Sequence, residues 1–177
     1  IKAEKIIKRF CKRYKINYCI LRYFNIAGSS SSGKIGLINK SDHLFKNFSR
    51  EIIKKRPILK IYGDNYDTKD GSCIRDFIHV SDIAEIHYKV LEKINKLNNS
   101  KTLNCGYNKG ISVLEVAKTF KKQTSKKVEI FVSKRRKGDL VKIIASNSKL
   151  KNFIKWKPKF NNLNTIVKSC INWEKRQ

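Results

Sequence analysis

Apolar residues at Ile6, Ile7, Phe10, Cys11 and Tyr14 recur at helical spacing, which predicts an amphipathic helix over residues 1–14. Residues 17–23, Asn-Tyr-Cys-Ile-Leu-Arg-Tyr, read as a buried strand. A long loop follows, through the serine run 29–32 and Gly33 to Lys40. Ser41-Asp42 predicts a cap for a helix over about 42–55, which Arg56-Pro57 ends. Residues 58–62 are strand-like, two turn signals follow at 63–65 and 69–71, and 74–80 is a short extended piece. Ser81-Asp82 then opens a helix to about Leu97, with Ile83, Ile86, Val90, Leu91 and Ile94 on one face. Thr102 to Gly106 is a short strand, and Ser112-Val113-Leu114-Glu115 is a capping box leading a helix to about Gln123. Val128 to Val132 is a strand, and helical pieces near 147–153 and 161–174 are split by Trp156-Lys157-Pro158. There is no internal repeat and no linker. Alternating strands and helices place the chain in the α/β class.

The 177 residues correspond to about one domain. With 40% apolar and 31% charged residues the composition is that of a soluble globular chain. No apolar run approaches the roughly 18 residues of a membrane span, and no signal-peptide pattern is present. There is no methionine, and Ile1 to Ile7 read as the middle of a helix without a cap, so the expectation is a fragment of a longer chain. The five cysteines are scattered without a CxxC pair, which predicts reduced thiols in a cytoplasm rather than a disulfide framework or a metal site.

Lysine and arginine number 41 against 14 acidic residues, a net charge of +27. Such a balance admits a basic nucleic-acid-binding module, which gains affinity by releasing counterions from phosphates. The lysines run along the whole length without clustering, and no nucleic-acid signature accompanies them. A lysine-rich composition with a mild attraction for acidic ligands accounts for the same charge.

Three runs carry candidate chemistry. Leu21 to Gly28 ends the first strand, where open α/β sheets bind ligands, although Asn25 and Gly28 also suit a plain turn. The second run reaches from Ile61-Tyr62-Gly63-Asp64 to Asp82. In it Arg75 is a fork-shaped donor matched to phosphate and Tyr62 offers a flat face to a base. His79 invites a catalytic role, but its place before a helix start suits a structural one better. The third run is Arg135-Arg136-Lys137-Gly138-Asp139-Leu140: its cations can grip a diphosphate and Asp139 can accept ribose hydroxyls, or it is a solvated basic loop.

In order and spacing these runs resemble the UDP-glucose 4-epimerases of the extended short-chain dehydrogenase/reductase family. The shared patterns are Arg-Tyr-Phe-Asn-x-Ala-Gly, Ile-Tyr-Gly-Asp, Asp-Gly-x-Cys-Ile-Arg-Asp-Phe-Ile-His-Val-x-Asp, Leu-Asn-x-Gly and Arg-Arg-x-Gly-Asp-Leu. Some are common to sugar-nucleotide dehydratases and other epimerases of the family; the stretch from Gly63 to Val80 is closer to the 4-epimerases. The resemblance implies the C-terminal part of a Rossmann-type doubly wound domain plus a small α/β substrate-binding domain. Residues 1–28 would be the last helix and strand of the Rossmann domain, and 29–177 mostly substrate domain with returning Rossmann elements.

It also implies roles. Tyr23 and Phe24 would border the nicotinamide of NAD, most of which another part of the protein would bind. Asn25 would hydrogen-bond the diphosphate, and His43 and Leu44 would close over the nucleotide. Tyr62 would hold the uracil, Arg75 and Arg136 the diphosphate, and Asp139 the ribose. Ile143 falls at the position that sets tolerance for N-acetylated sugars. The implied reaction interconverts UDP-galactose and UDP-glucose through a 4-keto sugar that turns over between hydride removal and return, in a homodimer. No catalytic residue is expected within the chain. The family's glycine-rich fingerprint and Tyr-x-x-x-Lys dyad do not occur in it, and Ile1 would fall at or just after the dyad's lysine. The chain alone is therefore expected to be inactive.

Overall fold

The computed structural model describes residues 2–38, 43–94 and 100–177. Helix α1 (Lys2–Arg13) leads into strand β1 (Cys19–Tyr23), and one residue later the chain extends again as β2 (Asn25–Ala27). Helix α2 (Leu44–Ile52), β3 (Ile58–Tyr62), β4 (Ile74–Arg75), β5 (Phe77–His79) and α3 (Val80–Ile94) follow. The second half holds β6 (Lys101–Cys105), β7 (Ile111–Ser112), α4 (Val113–Lys121), β8 (Glu129–Ser133), β9 (Lys142–Ile143), α5 (Ser148–Ile154) and α6 (Leu163–Glu174). The architecture is α/β with mainly parallel pairing, as expected.

Three parallel pairs form the frame. β1 runs beside β6 in the register Leu21↔Leu103, β2 beside β5 with Ile26↔Ile78, and β3 beside β8 with Lys60↔Phe131. β4 is the middle of a small mixed sheet, antiparallel to β7 and parallel to β9 with Arg75↔Ile143. Parallel neighbours need long crossovers, which the intervening helices supply.

Helix α2 packs its apolar face on α6, α4 and β3. Phe45, Phe48, Phe77 and Phe120 meet edge-to-face at centroid distances of 5.0–5.6 Å, the favoured geometry for aromatic quadrupoles. Each is no more than 2% exposed. A buried ion pair, Lys46 Nζ to Glu174 Oε2 at 2.7 Å, ties α2 to α6. Helix α1 buries no residue; Glu4 joins it to β1 through a two-bond contact with Arg22 at 2.6–2.7 Å.

One capping expectation differs from what forms, and another is not described. The Ser41-Asp42 cap lies outside the described residues, as does the expected end of α3 near Leu97. α3 starts at Val80, and the imidazole Nδ1 of His79 accepts from the Ser81 N–H at 3.1 Å, so His79 and not Ser81-Asp82 supplies the cap. Asp82 instead braces a distant segment. Its carboxylate accepts the Tyr107 hydroxyl at 2.5 Å and the N–H groups of Lys159 and Phe160 at 3.0 Å. By contrast Ser112 caps α4 as its spacing predicts, accepting from Glu115 N at 3.0 Å.

Candidate functional site

A cavity of about 420 Å³ opens where several strands end. Tyr62 closes β3, Arg75 closes β4, and Asn25 opens β2 one residue beyond the end of β1. The carboxyl ends of strands are where open α/β sheets place ligands, because backbone donors and loop side chains converge there. His43 and Leu44, at the start of α2, form the opposite wall, and the loop between β8 and β9 adds Arg136 and Asp139. Every residue expected to hold a sugar nucleotide thus lines this one cavity: Asn25, His43, Leu44, Tyr62, Arg75, Arg136 and Asp139.

The basic run places two of them through one turn. The Asp139 N–H donates to the Arg136 carbonyl at 3.3 Å, and Gly138 between them has φ of 88°. A side chain rarely adopts that angle, and glycine does so freely. The turn therefore presents the Arg136 guanidinium and the Asp139 carboxylate to the same cavity. Arg135 and Arg136 stack on two tyrosines, Arg135 over Tyr66 at 4.0 Å and Arg136 over Tyr62 at 3.9 Å. Such cation–π contacts hold a flat guanidinium over an aromatic face.

Arg75 is fixed from both sides. Its Nη1 donates to the carbonyls of Ile74 at 2.9 Å and Leu140 at 2.7 Å, while Nη2 reaches Asp139 Oδ1 at 3.3 Å. Lys60 also enters the cavity, with Nζ 5.1 Å from the Tyr62 ring. Three cations, Lys60, Arg75 and Arg136, therefore line a cavity in which Asp139 pairs with Arg75, while the other lining carboxylate, Glu51, pairs with Lys54 at 2.5 Å. The arrangement can bind a multiply charged anion beside an aromatic platform.

A second cavity of about 720 Å³ adjoins the first, and Asn25 and His43 line both. Its walls are mostly apolar, with Tyr23, Phe24, Leu37 and Trp173, and the buried Lys46–Glu174 pair at one side. Both residues expected at the nicotinamide, Tyr23 and Phe24, line this cavity. The Tyr23 hydroxyl lies 2.5 Å from His87 Nε2, while His87 Nδ1 faces the Ile83 carbonyl at 2.8 Å. Burial pushes the Tyr23 hydroxyl pKa up.

His43 stands between the cavities. Among the described residues its buried Nδ1 has no hydrogen-bond partner, and burial lowers its pKa, opposed by a hydrogen bond to the Ile26 backbone. His79 is 1% exposed, stacked on Phe160 at 4.6 Å and 3.2 Å from the Ser169 hydroxyl through Nε2. With its other nitrogen capping α3, it is a structural residue that lines neither cavity, behind the Gly28 and Ser81 wall of the second. Burial raises the thiols of Cys73, Cys105 (to about 12) and Cys170 (to about 11), so these are not nucleophiles at neutral pH.

Three contributors escaped sequence reasoning. Lys60 had a signal, being two residues before Tyr62 on one strand and so on the same face. His87, on α3, lies far in sequence from the Tyr23 it touches, and Asp76, whose carboxylate accepts from the N–H groups of Tyr107, Asn108 and Ala145, sits inside a motif without an obvious partner.

An aromatic-floored cationic cavity at the ends of strands, joined to an apolar one, places the chain among α/β proteins with a site suited to an anion. Sequence comparison narrows it. The NAD dependent epimerase/dehydratase family description matches residues 1–106. The chain is 36% identical over 174 residues to a UDP-glucose 4-epimerase of Azospirillum brasilense, covering 98% of this chain and 50% of that protein. It is 38% identical over 173 residues to one of Halalkalibacterium halodurans, covering 97% of this chain and 52% of that protein. Among solved structures, the UDP-glucose-4-epimerase of Stenotrophomonas maltophila with bound NAD and formylated UDP-arabinopyranose superposes with a TM-score of 0.91 at 29% identity, over 98% of this chain and 52% of that one. The UDP-glucose 4-epimerase of Bifidobacterium longum in complex with NAD+ and UDP gives a TM-score of 0.87 at 29% identity, over 98% of this chain and 52% of that one. The chain belongs to the NAD dependent epimerase/dehydratase family. It spans about half the length of the curated relatives it matches.

Proposed function

We propose that this chain is the sugar-nucleotide-binding portion of a UDP-glucose 4-epimerase, and that the 420 Å³ cavity takes the UDP moiety. The observation that carries the reading is the convergence of Tyr62, Arg75, Arg136 and Asp139 on one cavity from three separate parts of the chain. Tyr62 receives the uracil on its ring. Arg75 and Arg136 neutralise the diphosphate with charge-assisted hydrogen bonds, and Asn25 adds a neutral donor. Asp139 accepts from the ribose hydroxyls. His43 and Leu44 close the site from the start of α2. Because these contacts concentrate on the nucleotide, the hexose is left with few anchors, as a reaction that exposes both faces of C4 requires. Ile143 lies beside Arg75 in the small sheet and sets the breadth of sugar tolerance.

The second cavity fits the nicotinamide end of NAD: it is large, mainly apolar and bordered by Tyr23 and Phe24. The cofactor, when bound, supplies the hydride chemistry at C4. Residues 1–28 belong with the cofactor domain and 29–177 mostly with the substrate domain. The parent activity is the interconversion of UDP-galactose and UDP-glucose in galactose metabolism, by a cytoplasmic homodimer, with other family sugar-nucleotide epimerases or dehydratases as the neighbouring assignment. The free thiols suit a reducing compartment.

Isothermal titration of the chain with UDP tests the site. Binding in the micromolar range that Arg75→Ala weakens at least tenfold supports it. UDP binding indifferent to Arg75 would place the nucleotide elsewhere.

A further inference from the structure

We propose that Asp139 is a specificity-determining residue that makes the site prefer nucleoside diphosphates to bare diphosphates, by serving as the internal counter-ion of Arg75 until a ribose takes it. The inference rests on the reading of the cavity as a nucleotide site and adds to it how the nucleotide is selected.

Each lining cation is already engaged. Arg75 is paired with Asp139 at 3.3 Å, and Arg136 and Lys60 lie over the Tyr62 ring at 3.9 and 5.1 Å. The Arg75 side chain is 11% exposed, and Asp139 is 32% exposed, so this is a partly desolvated pair rather than a surface one. Two carbonyl contacts hold the Arg75 guanidinium in place, so Asp139, on its glycine-containing turn, is the partner able to move.

These internal partners match the parts of a nucleotide one for one. An aromatic face stands where a base would stack, and a carboxylate stands where two hydroxyl donors would sit. A nucleoside diphosphate exchanges every internal contact for an equivalent one: phosphate oxygens take the cations, the base takes Tyr62 and the ribose takes Asp139. Inorganic pyrophosphate takes the cations and leaves Asp139 unpaired beside new negative charge. Like charges in a partly desolvated site repel, and the abandoned carboxylate also loses its counter-ion. Asp139 thus penalises phosphates that come without a sugar hydroxyl pair.

The test is titration of the 177-residue chain with UDP and with inorganic pyrophosphate at fixed low ionic strength, for the unaltered chain, Asp139→Asn, Asp139→Glu and, as a charge control, Asp67→Asn. Circular dichroism verifies the fold of each. Asp139→Asn is expected to tighten pyrophosphate about three- to fivefold, the upper end of what a partly exposed ion pair is worth, while weakening UDP. Asp139→Glu is expected to keep the original order, and Asp67→Asn to leave pyrophosphate affinity within about twofold because exposed charges are screened. Pyrophosphate binding that Asp139→Asn leaves unchanged or weakens, with UDP still bound by the unaltered chain, overturns the inference and spares the nucleotide site. Equal tightening by Asp67→Asn also overturns it, as a general charge effect. Failure of the unaltered chain to bind UDP overturns the site reading and this inference with it.

Discussion

Asn25 gives both its backbone N–H and its side-chain Nδ2 to one acceptor, the carbonyl of Asp76, each at 3.2 Å. The carboxylate of Asp76, 0% exposed, accepts from the backbone N–H groups of Tyr107 and Asn108 at 2.9 Å and Ala145 at 3.1 Å. Asp76 therefore joins β2, the segment after β6 and the segment after β9, and it sits between Arg75 and β5. Its carboxylate ties the two later segments together, and its carbonyl holds Asn25, which lines both cavities.

Asp76→Ala is expected to remove about 3–5 kcal/mol of stability, because each buried donor left without a partner costs about 1–3 kcal/mol. Asp76→Asn keeps one acceptor oxygen and is expected to lose less. Urea midpoints measure both, and a loss below about 1 kcal/mol for the alanine variant would show that water or a rearranged backbone replaces the carboxylate.

Arg75 and Arg136 differ in how firmly they are held, and their variants are expected to differ accordingly. Arg75→Ala should cost about 2–3 kcal/mol of UDP binding, the range for hydrogen bonds to charged groups. Arg136 is exposed and stacked on Tyr62, so Arg136→Ala should cost about 1 kcal/mol, the scale of an exposed pair. Arg75→Lys should rescue little, since one ammonium cannot satisfy the Ile74 and Leu140 carbonyls and an anion together. Equal losses for the two alanine variants would contradict the distinction drawn from their environments.

The longer elements are legible in the sequence, because a period needs length to show. The strand at 58–62 and the capped helix after Ser112 form as patterned. β7 and β9 are two residues long, too short to carry any alternation, and β2 hides one residue after β1 within a single apolar run. At the site, Tyr62, Arg75 and Asp139 announce themselves by residue type. Their meeting does not follow from spacing, since the crossovers that bring residue 139 to residue 75 leave no local trace. Asp76 is harder still: its carboxylate is answered only by backbone N–H groups, which every residue but proline has. The Ser81-Asp82 cap is the instructive miss, because a preceding histidine nitrogen took the capping role.

Gly28 is expected to tolerate no side chain. Its φ is 92°, and a Cβ there would sit 2.5 Å from the His79 ring. That ring cannot give way easily, being stacked on Phe160 and hydrogen-bonded through both nitrogens. Gly28→Ala should lose about 2–5 kcal/mol, from roughly 1–2 for the left-handed backbone and 1–3 for overpacking. Thermal denaturation of Gly28→Ala beside Gly28→Ala/His79→Ala measures it: the second change should recover the steric share. No recovery would locate the cost in the backbone alone.

Acid should destabilise the fold through its buried histidines. Burial lowers the pKa of both His79 and His43 from the usual 6.5. In each case the unfolded chain binds a proton more readily than the folded one, so stability is full above the unfolded pKa. It falls as pH drops below about 6.5 toward the lowered folded value. Denaturation midpoints measured between about pH 7.5 and 5 should therefore decline. His79→Gln should flatten part of that slope, and an unchanged slope would assign the acid sensitivity to other groups.

The chain alone should not convert UDP-galactose to UDP-glucose, even with NAD added. On the proposed reading its contribution is binding: the cations, the aromatic floor and Asp139 would hold a nucleotide, and none of them would transfer a proton at C4. Proton transfer by a placed base is typically worth about 10²–10⁴-fold in rate. The titratable groups at hand do not fill the role. His79 is buried in structural bonds outside both cavities, the Tyr23 hydroxyl is engaged by His87 with its pKa raised, and the buried thiols stay protonated. His43 is the nearest candidate, facing both cavities with a buried Nδ1, but burial lowers its pKa and no acceptor on a substrate is held beside it by the chain. Fusing ahead of Ile1 a segment that carries a glycine-rich dinucleotide fingerprint and ends in Tyr-x-x-x-Lys should produce turnover, followed by the appearance of UDP-glucose. That turnover should vanish with Arg75→Ala at low substrate and recover in part at high substrate, as expected for lost binding rather than lost chemistry. Turnover by the 177-residue chain itself would mean that His43 or Tyr23 does the acid–base work. A fused chain that binds UDP-galactose and NAD but acts only on another sugar nucleotide would keep the family and move the substrate.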